Sequence, residues 1–464
     1  MTLLPFAHAL ASRQDLPVPA WLFAWAASIV LIVSFFALAA GWRSPRFEDE
    51  RRRPLGGRPA TALVSAPAQA LYGALGVFLL GFAIYAGLEG TEAPDRNFAL
   101  TFFFVTAWLG FPALSALLGD VFRPFNPWRA IGRAAGAAFT AIAGQRPAHL
   151  AYPERLGRWP AAAGLVAVVW LEVVYGSSGG VAVGLDPRTA ATAALVYTAY
   201  TLAMMALFGT EKWCDRGEAF SVYFGMFARL GVFDVRDGRL ERRRPLAGAG
   251  TWATVPGSAA VVIASIATTT YDGASEGALA DPIRAVFDAL RDLGLGPDAA
   301  LRLADTVFIG LCLAGVAAVY LLGVRGMRTV RGAPPLDRLR DGFAHTLIPI
   351  AFAYLVAHYF SLFVFQEQAQ FTYLLSDPLG TGTTDLFGTA GGGIDYTILT
   401  ANAIWYVQVG ALIVGHVLGL VLAHDRALAY WPDYRDATRS QYWMLAVMVA
   451  FTCCGLYLLS VANA

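Results

Sequence analysis

Charge is what this chain has least of. Only 14% of its 464 residues are Asp, Glu, Lys or Arg, against roughly 25% in a soluble globular domain. Lysine is almost missing: Lys212 stands alone, and every other fixed cation is arginine. That bias, with abundant Ala and Gly, points to a GC-rich bacterial genome. Cysteine is scarce as well. Cys214, Cys312, Cys453 and Cys454 make no C-x-x-C pair, and the last three fall inside apolar runs. They read as small apolar packing residues, not as a disulfide framework. The net charge of +1 gives no reason to expect a nucleic-acid partner. The P-loop, the G-x-S-x-G elbow and the H-E-x-x-H zinc motif are all absent. The opening "MTLLPFAHALA" is too short and lacks the basic start of a cleavable signal peptide, so His8 is expected outside the membrane.

What fills the chain is apolar. Hydrophobic residues make up 57% of it, and mean hydropathy is +0.54. These values predict an all-α fold, a polytopic transmembrane helix bundle forming a single integral membrane domain over 1–464. At about 20 residues per crossing, ten spans are expected near 20–42, 69–88, 99–118, 160–176, 189–208, 255–271, 305–324, 343–364, 398–422 and 442–461. Arginine concentrates in alternate loops: 43–68, 119–159, 209–254, 325–342 and 423–441. The positive-inside rule puts those five loops in the cytoplasm and both termini outside, in a bacterial cytoplasmic membrane. Loop 272–304 breaks the alternation with mixed charges, and its "DPIRAVFDALRDLGL" reads as an amphipathic surface helix. The run 217–233 is too short to span. It either lies on the inner surface or dips in as a re-entrant piece.

Ten spans split into two sets of five, the arithmetic of inverted-repeat transporters. The only internal echo is Asp120 to Pro127 against Asp425 to Pro432. Both copies share side and direction, so they give inversion no support.

Ionisable residues inside a span cost about 2.5–3.5 kcal/mol on insertion scales, and they face a partner or a cavity. Glu172, in "VVWLEVVYG", is the clearest case. It reads either as a helix-packing carboxyl or as a catalytic or proton- and cation-carrying group. Four of the six histidines lie in two apolar runs: His345 and His358 in one, His416 and His424 in the other. Paired haem ligation fails, because His358 has no histidine at its depth on the neighbouring span. His345, His416 and His424 all fall near the cytoplasmic end. His345 and His416 are the catalytic candidates. With His424 and Asp425, or with Asp341, they form a candidate metal set, and a divalent transition metal is the cofactor such donors would take. The competing reading is structural: a His424–Asp425 pair at a helix end, and His416 bonded to a carbonyl. Gly415 and Gly419, flanking His416, permit close approach of another helix. On the outer face, Asp272, Asp377 and Asp385 sit in Thr- and Gly-rich segments. They read as an outer vestibule or as ordinary turn chemistry.

Six stretches carry a resemblance: "SRQDLPVPAWLFAWAASIVLIVSFFAL" (12–38), "GDVFRPFNPW" (119–128), "GEAFSVYFG" (217–225), "TTTYDG" (268–273), "SDPLGTGTTDLFGT" (376–389) and "GHVLGLVLAHDRAL" (415–428). Together they resemble bacterial polytopic membrane proteins labelled fenitrothion hydrolase. The resemblance implies hydrolysis of an organophosphorus triester, and assigns no catalytic residue.

Two function classes follow. One is a membrane-embedded, metal-assisted hydrolase of hydrophobic esters, in which the metal would activate water and polarise the phosphoryl oxygen. The other is a transporter or channel for an ion or small solute, with Glu172 and the histidines as its pathway. The partners in either case are the lipid bilayer and a small hydrophobic molecule or ion.

Overall fold

Uninterrupted apolar runs bounded by Pro, Asp, Asn and Thr become long helices, because in hydrocarbon every backbone polar group must be satisfied within the segment. The computed structural model describes residues 20–48, 52–178, 180–182, 184–252 and 255–462. The N-terminal segment with His8 lies outside the described residues. The first five long helices are α1 (Ala20–Gly41), α2 (Ala66–Glu89), α3 (Phe98–Leu118), α4 (Trp159–Tyr175) and α5 (Pro187–Phe208). Then come a short α6 (Ala219–Phe227), α7 (Ser258–Ser275), α8 (Ala280–Asp292) and α9 (Pro297–Met327). The last three are α10 (Ile348–Phe371), α11 (Ala401–Tyr430) and α12 (Tyr442–Ala462). Starts are capped as the sequence suggests. Asp186 accepts from Thr189 N at 2.8 Å ahead of α5, and Asn97 from Ala99 N at 2.9 Å ahead of α3.

The helical bundle is as expected. Eight of the described helical segments are long and apolar enough to cross a membrane. The expected spans 160–176 and 255–271 are not among them. The first is the shorter apolar helix α4. The second is α7, whose last turns, "TTTYDGAS", are too polar for the purpose. The reason is position. Helix α7 packs against α4, α8, α9, α10 and α12, and twelve of its 18 residues are buried. A helix sheathed in protein does not need an apolar surface. On the outer helices the relation is reversed: Trp25, Phe36, Leu71, Phe78, Leu117 and Val196 are exposed. This is the surface that a lipid environment covers.

Segment 217–233 goes inward. Val222, Tyr223, Phe224, Met226 and Phe227 of α6 are buried, with Trp108 of α3 stacked on Tyr223 at 5.0 Å between centroids. Protein surrounds this short helix and covers its apolar side chains. The amphipathic helix expected within 272–304 is α8, which packs on α9. Not expected were two small sheets. At the arginine-rich end, β4 (Phe233–Arg236) and β5 (Arg239–Arg242) form a hairpin that pairs with β1 (Arg53–Pro54). Arg52 and Arg243 both contact Asp234 there. At the other end, β2 (Ser177–Ser178) pairs with β3 (Val181–Ala182).

Two helices carry widened π turns, at Phe102–Ala107 in α3 and Leu171–Tyr175 in α4. Such turns are rare and cluster at functional sites. All four cysteines are free.

Candidate functional site

A cavity of about 560 Å³ opens at the arginine-poor end of the bundle. Both π turns reach it: Phe104 and Val105 from α3, Glu172 and Val173 from α4. Helix α7 contributes Tyr271 and Asp272, α9 Asp305, and α10 Tyr359. Helix α8 lies over it with Ile283, Arg284, Phe287 and Asp288. Five carboxylates (Glu172, Asp272, Glu276, Asp288 and Asp305) face this space together with one guanidinium, Arg284. Walls of low polarizability leave the field of such a group poorly screened, so the cavity favours a cation.

The carboxylates differ in how they are held. Asp272 is 3% exposed. Its Oδ2 lies 2.9 Å from His358 Nε2 and accepts from the Tyr359 hydroxyl. Two consecutive residues of α10 thus fix a carboxylate on α7. Asp305 lies beside the Tyr271 hydroxyl. Glu172 is different: among the described residues it has no hydrogen-bond or ion-pair partner. Its π turn aims it into the cavity, and Tyr223 of α6 lies within electrostatic reach. Glu172 is half-buried on the cavity wall, where its carboxyl is met by a proton, a cation or water, because a carboxylate withdrawn from water without a partner costs several kcal/mol.

The other two aspartates of the expected vestibule are elsewhere. Asp377 accepts from Gly382 N at 2.6 Å and Thr384 Oγ1 at 2.7 Å. Asp385 accepts from Ser376 Oγ at 2.8 Å and Ala390 N at 3.1 Å. The Ser376 hydroxyl, then the backbone amides, hold the Asp385 carboxyl below its ordinary value. Both residues close the loop between α10 and α11 and neither lines the cavity, so of the three only Asp272 belongs to it.

The metal set His345, His416, His424 and Asp425 is not gathered into a site. No group of three or more His, Cys, Asp or Glu side chains among the described residues is placed to hold a metal. Asp425 accepts from Trp42 Nε1 at 3.0 Å, Arg46 N at 2.6 Å and Phe47 N at 2.9 Å. His424 uses Nε2 toward Trp42 O at 2.9 Å and Nδ1 toward Gln441 at 3.2 Å. Both therefore tie the segment after α1 to α11, which is the structural reading of that pair. His345 is buried in the turn Ala344–Leu347, within reach of the Arg426 guanidinium, a poor neighbour for a metal dication. His416 donates from Nδ1 to Leu412 O at 2.7 Å and sits beside Tyr354 and Phe451. Its Nε2 has no partner among the described residues. Asp341, the alternative ligand, is paired with Arg340 at 2.7 Å.

Sequence reasoning missed two polar centres. One is the Asp272–His358–Tyr359 group, in which the partner of His358 is a carboxylate and not a second histidine. The other is Glu218, which is wholly buried. It accepts from Asn126 Nδ2 at 3.2 Å, Ser221 Oγ at 2.6 Å and Tyr197 Oη, and caps α6 through Ser221 N at 2.8 Å. Asn126 and Glu218 come from "GDVFRPFNPW" and "GEAFSVYFG", so two of the resemblance-bearing stretches meet here. The available signal was an N-cap-like Glu before a short apolar run.

No family model, curated protein or solved structure matches the chain.

Proposed function

We propose that the chain is a multi-pass transporter of the bacterial cytoplasmic membrane whose cation pathway runs through Glu172. The observation that carries this reading is the carboxyl of Glu172, without a partner among the described residues, in a cavity shared with four other carboxylates and one arginine. An ionisable group at membrane depth that serves packing alone is expected to be paired. In this reading α4 and α7 both cross the bilayer, giving ten crossings. The arginine-rich loops face the cytoplasm, and the cavity opens to the outside. Asp272, held by His358 and Tyr359, is the second carboxylate of the site. The hydrolase reading rests on the sequence resemblance, and the positions of His345, His416, His424 and Asp425 lend it no support.

A hydrophobic carbodiimide, which attacks membrane carboxyls and leaves a stable acylurea, tests the site. Mass spectrometry of labelled protein should find the adduct at Glu172, and tetramethylammonium should protect it. Equal labelling with and without the cation would sink the proposal.

A further inference from the structure

The acidic cavity has a neighbour. A cleft of about 970 Å³ runs between α2, α3, α4 and α5, with α6 at its floor. Both volumes fall in the range of roughly 300–1,000 Å³ typical of small-molecule sites. The cleft's walls are almost wholly apolar and aromatic, among them Phe103, Trp108, Phe111, Trp128 and Phe220. At its lips Tyr175, Val196 and Tyr200 are exposed, on the surface that the bilayer covers. The cleft thus opens sideways into hydrocarbon, whereas the carboxylate cavity lies at the bundle's arginine-poor end.

The two spaces share a wall. Phe104 lines both. On α4, Leu171 lines the cleft and the next residue, Glu172, the cavity. Consecutive positions on a helix point about 100° apart, so neighbouring residues can serve two compartments. An aromatic face at the boundary is also a surface to which a cation is attracted.

Resting on the reading of Glu172 as a cation site, we propose that the transported solute is a lipophilic ammonium compound that enters from the bilayer. Its apolar body occupies the cleft, and its charged head passes Phe104 to reach Glu172. This chemistry explains why one wall separates an apolar space from an acidic one. A simple inorganic cation would use only the second, and a neutral lipid only the first.

The test is equilibrium binding to the full chain in lipid nanodiscs, with empty nanodiscs subtracted. The probes are tetramethylammonium, decyltrimethylammonium and decanoate. The decyl cation should bind at least about tenfold more tightly than either of the others, a difference of about 1.4 kcal/mol. Ala193→Phe, which fills the cleft and does not line the acidic cavity, should weaken the decyl cation about tenfold or more and leave tetramethylammonium unchanged. Ala193→Ser should preserve both, and guards against a folding defect in the larger variant. Glu172→Gln should weaken both cations. If tetramethylammonium depends on Glu172 but the decyl chain adds nothing, the lipophilic assignment is overturned while the cation site stands. If decanoate binds as well as the decyl cation, the cleft is a lipid pocket only, and the proposal is likewise overturned. If neither cation depends on Glu172, the cation site itself fails.

Discussion

At the residue scale, what separates Glu172 from Asp425 is partners. Both are carboxylates on apolar helices and both stand out in the sequence. Asp425 takes three hydrogen bonds from the segment that follows α1, whereas Glu172 takes none within the described chain. No local pattern in the sequence reveals this difference, since the donors to Asp425 lie 378 to 383 residues away. Asp425→Ala is expected to strand buried donors, at a cost of roughly 1–3 kcal/mol for each one left unsatisfied. It should lower the thermal unfolding midpoint and leave tetramethylammonium binding intact. Loss of binding without loss of stability would move Asp425 into the functional site. His345 and His416 illustrate the same limit. Which way each ring points is not readable from the sequence.

At the scale of elements, the long apolar helices and their boundaries were legible because each is set by local composition and caps. Helices α2, α5 and α12 begin and end close to where hydropathy places them, whereas α11 runs on to Tyr430, well past its expected end. The close approach at Gly415 and Gly419 was legible too. A Cβ on Gly415 would collide with Ala353 of α10, and one on Gly419 would lie 2.9 Å from Thr346 O. Gly415→Val should therefore force α10 and α11 apart, costing about 1–3 kcal/mol as overpacking does. Detergent-solubilised protein should melt correspondingly lower, and an unchanged midpoint would show the pair to be more pliable than the contacts indicate. The two π turns and the inward course of α6 were not legible. Each depends on neighbours far away in sequence, and no propensity marks a π turn at Phe102–Ala107 or Leu171–Tyr175. The polar end of α7 misleads a hydropathy count for the related reason that burial by other helices, not composition, decides what a central helix tolerates.

At the scale of the molecule, the arrangement is a shell of lipid-facing helices around α7, with an acidic cavity at one end and arginine-rich loops and a small sheet at the other. The asymmetry gives the proposed orientation a direct check. In a background without the native cysteines, Thr383→Cys should react with an impermeant thiol reagent in intact cells, and Arg331→Cys only after lysis. The reverse pattern would invert the molecule and point the cavity at the cytoplasm. The account stands most directly on one measurement: uptake of radiolabelled tetramethylammonium into proteoliposomes under an inside-negative potential. Wild-type protein should give saturable uptake, and Glu172→Gln should fall to the rate of protein-free liposomes. Saturable uptake that survives in Glu172→Gln, or wild-type uptake no faster than through bare lipid, would contradict it.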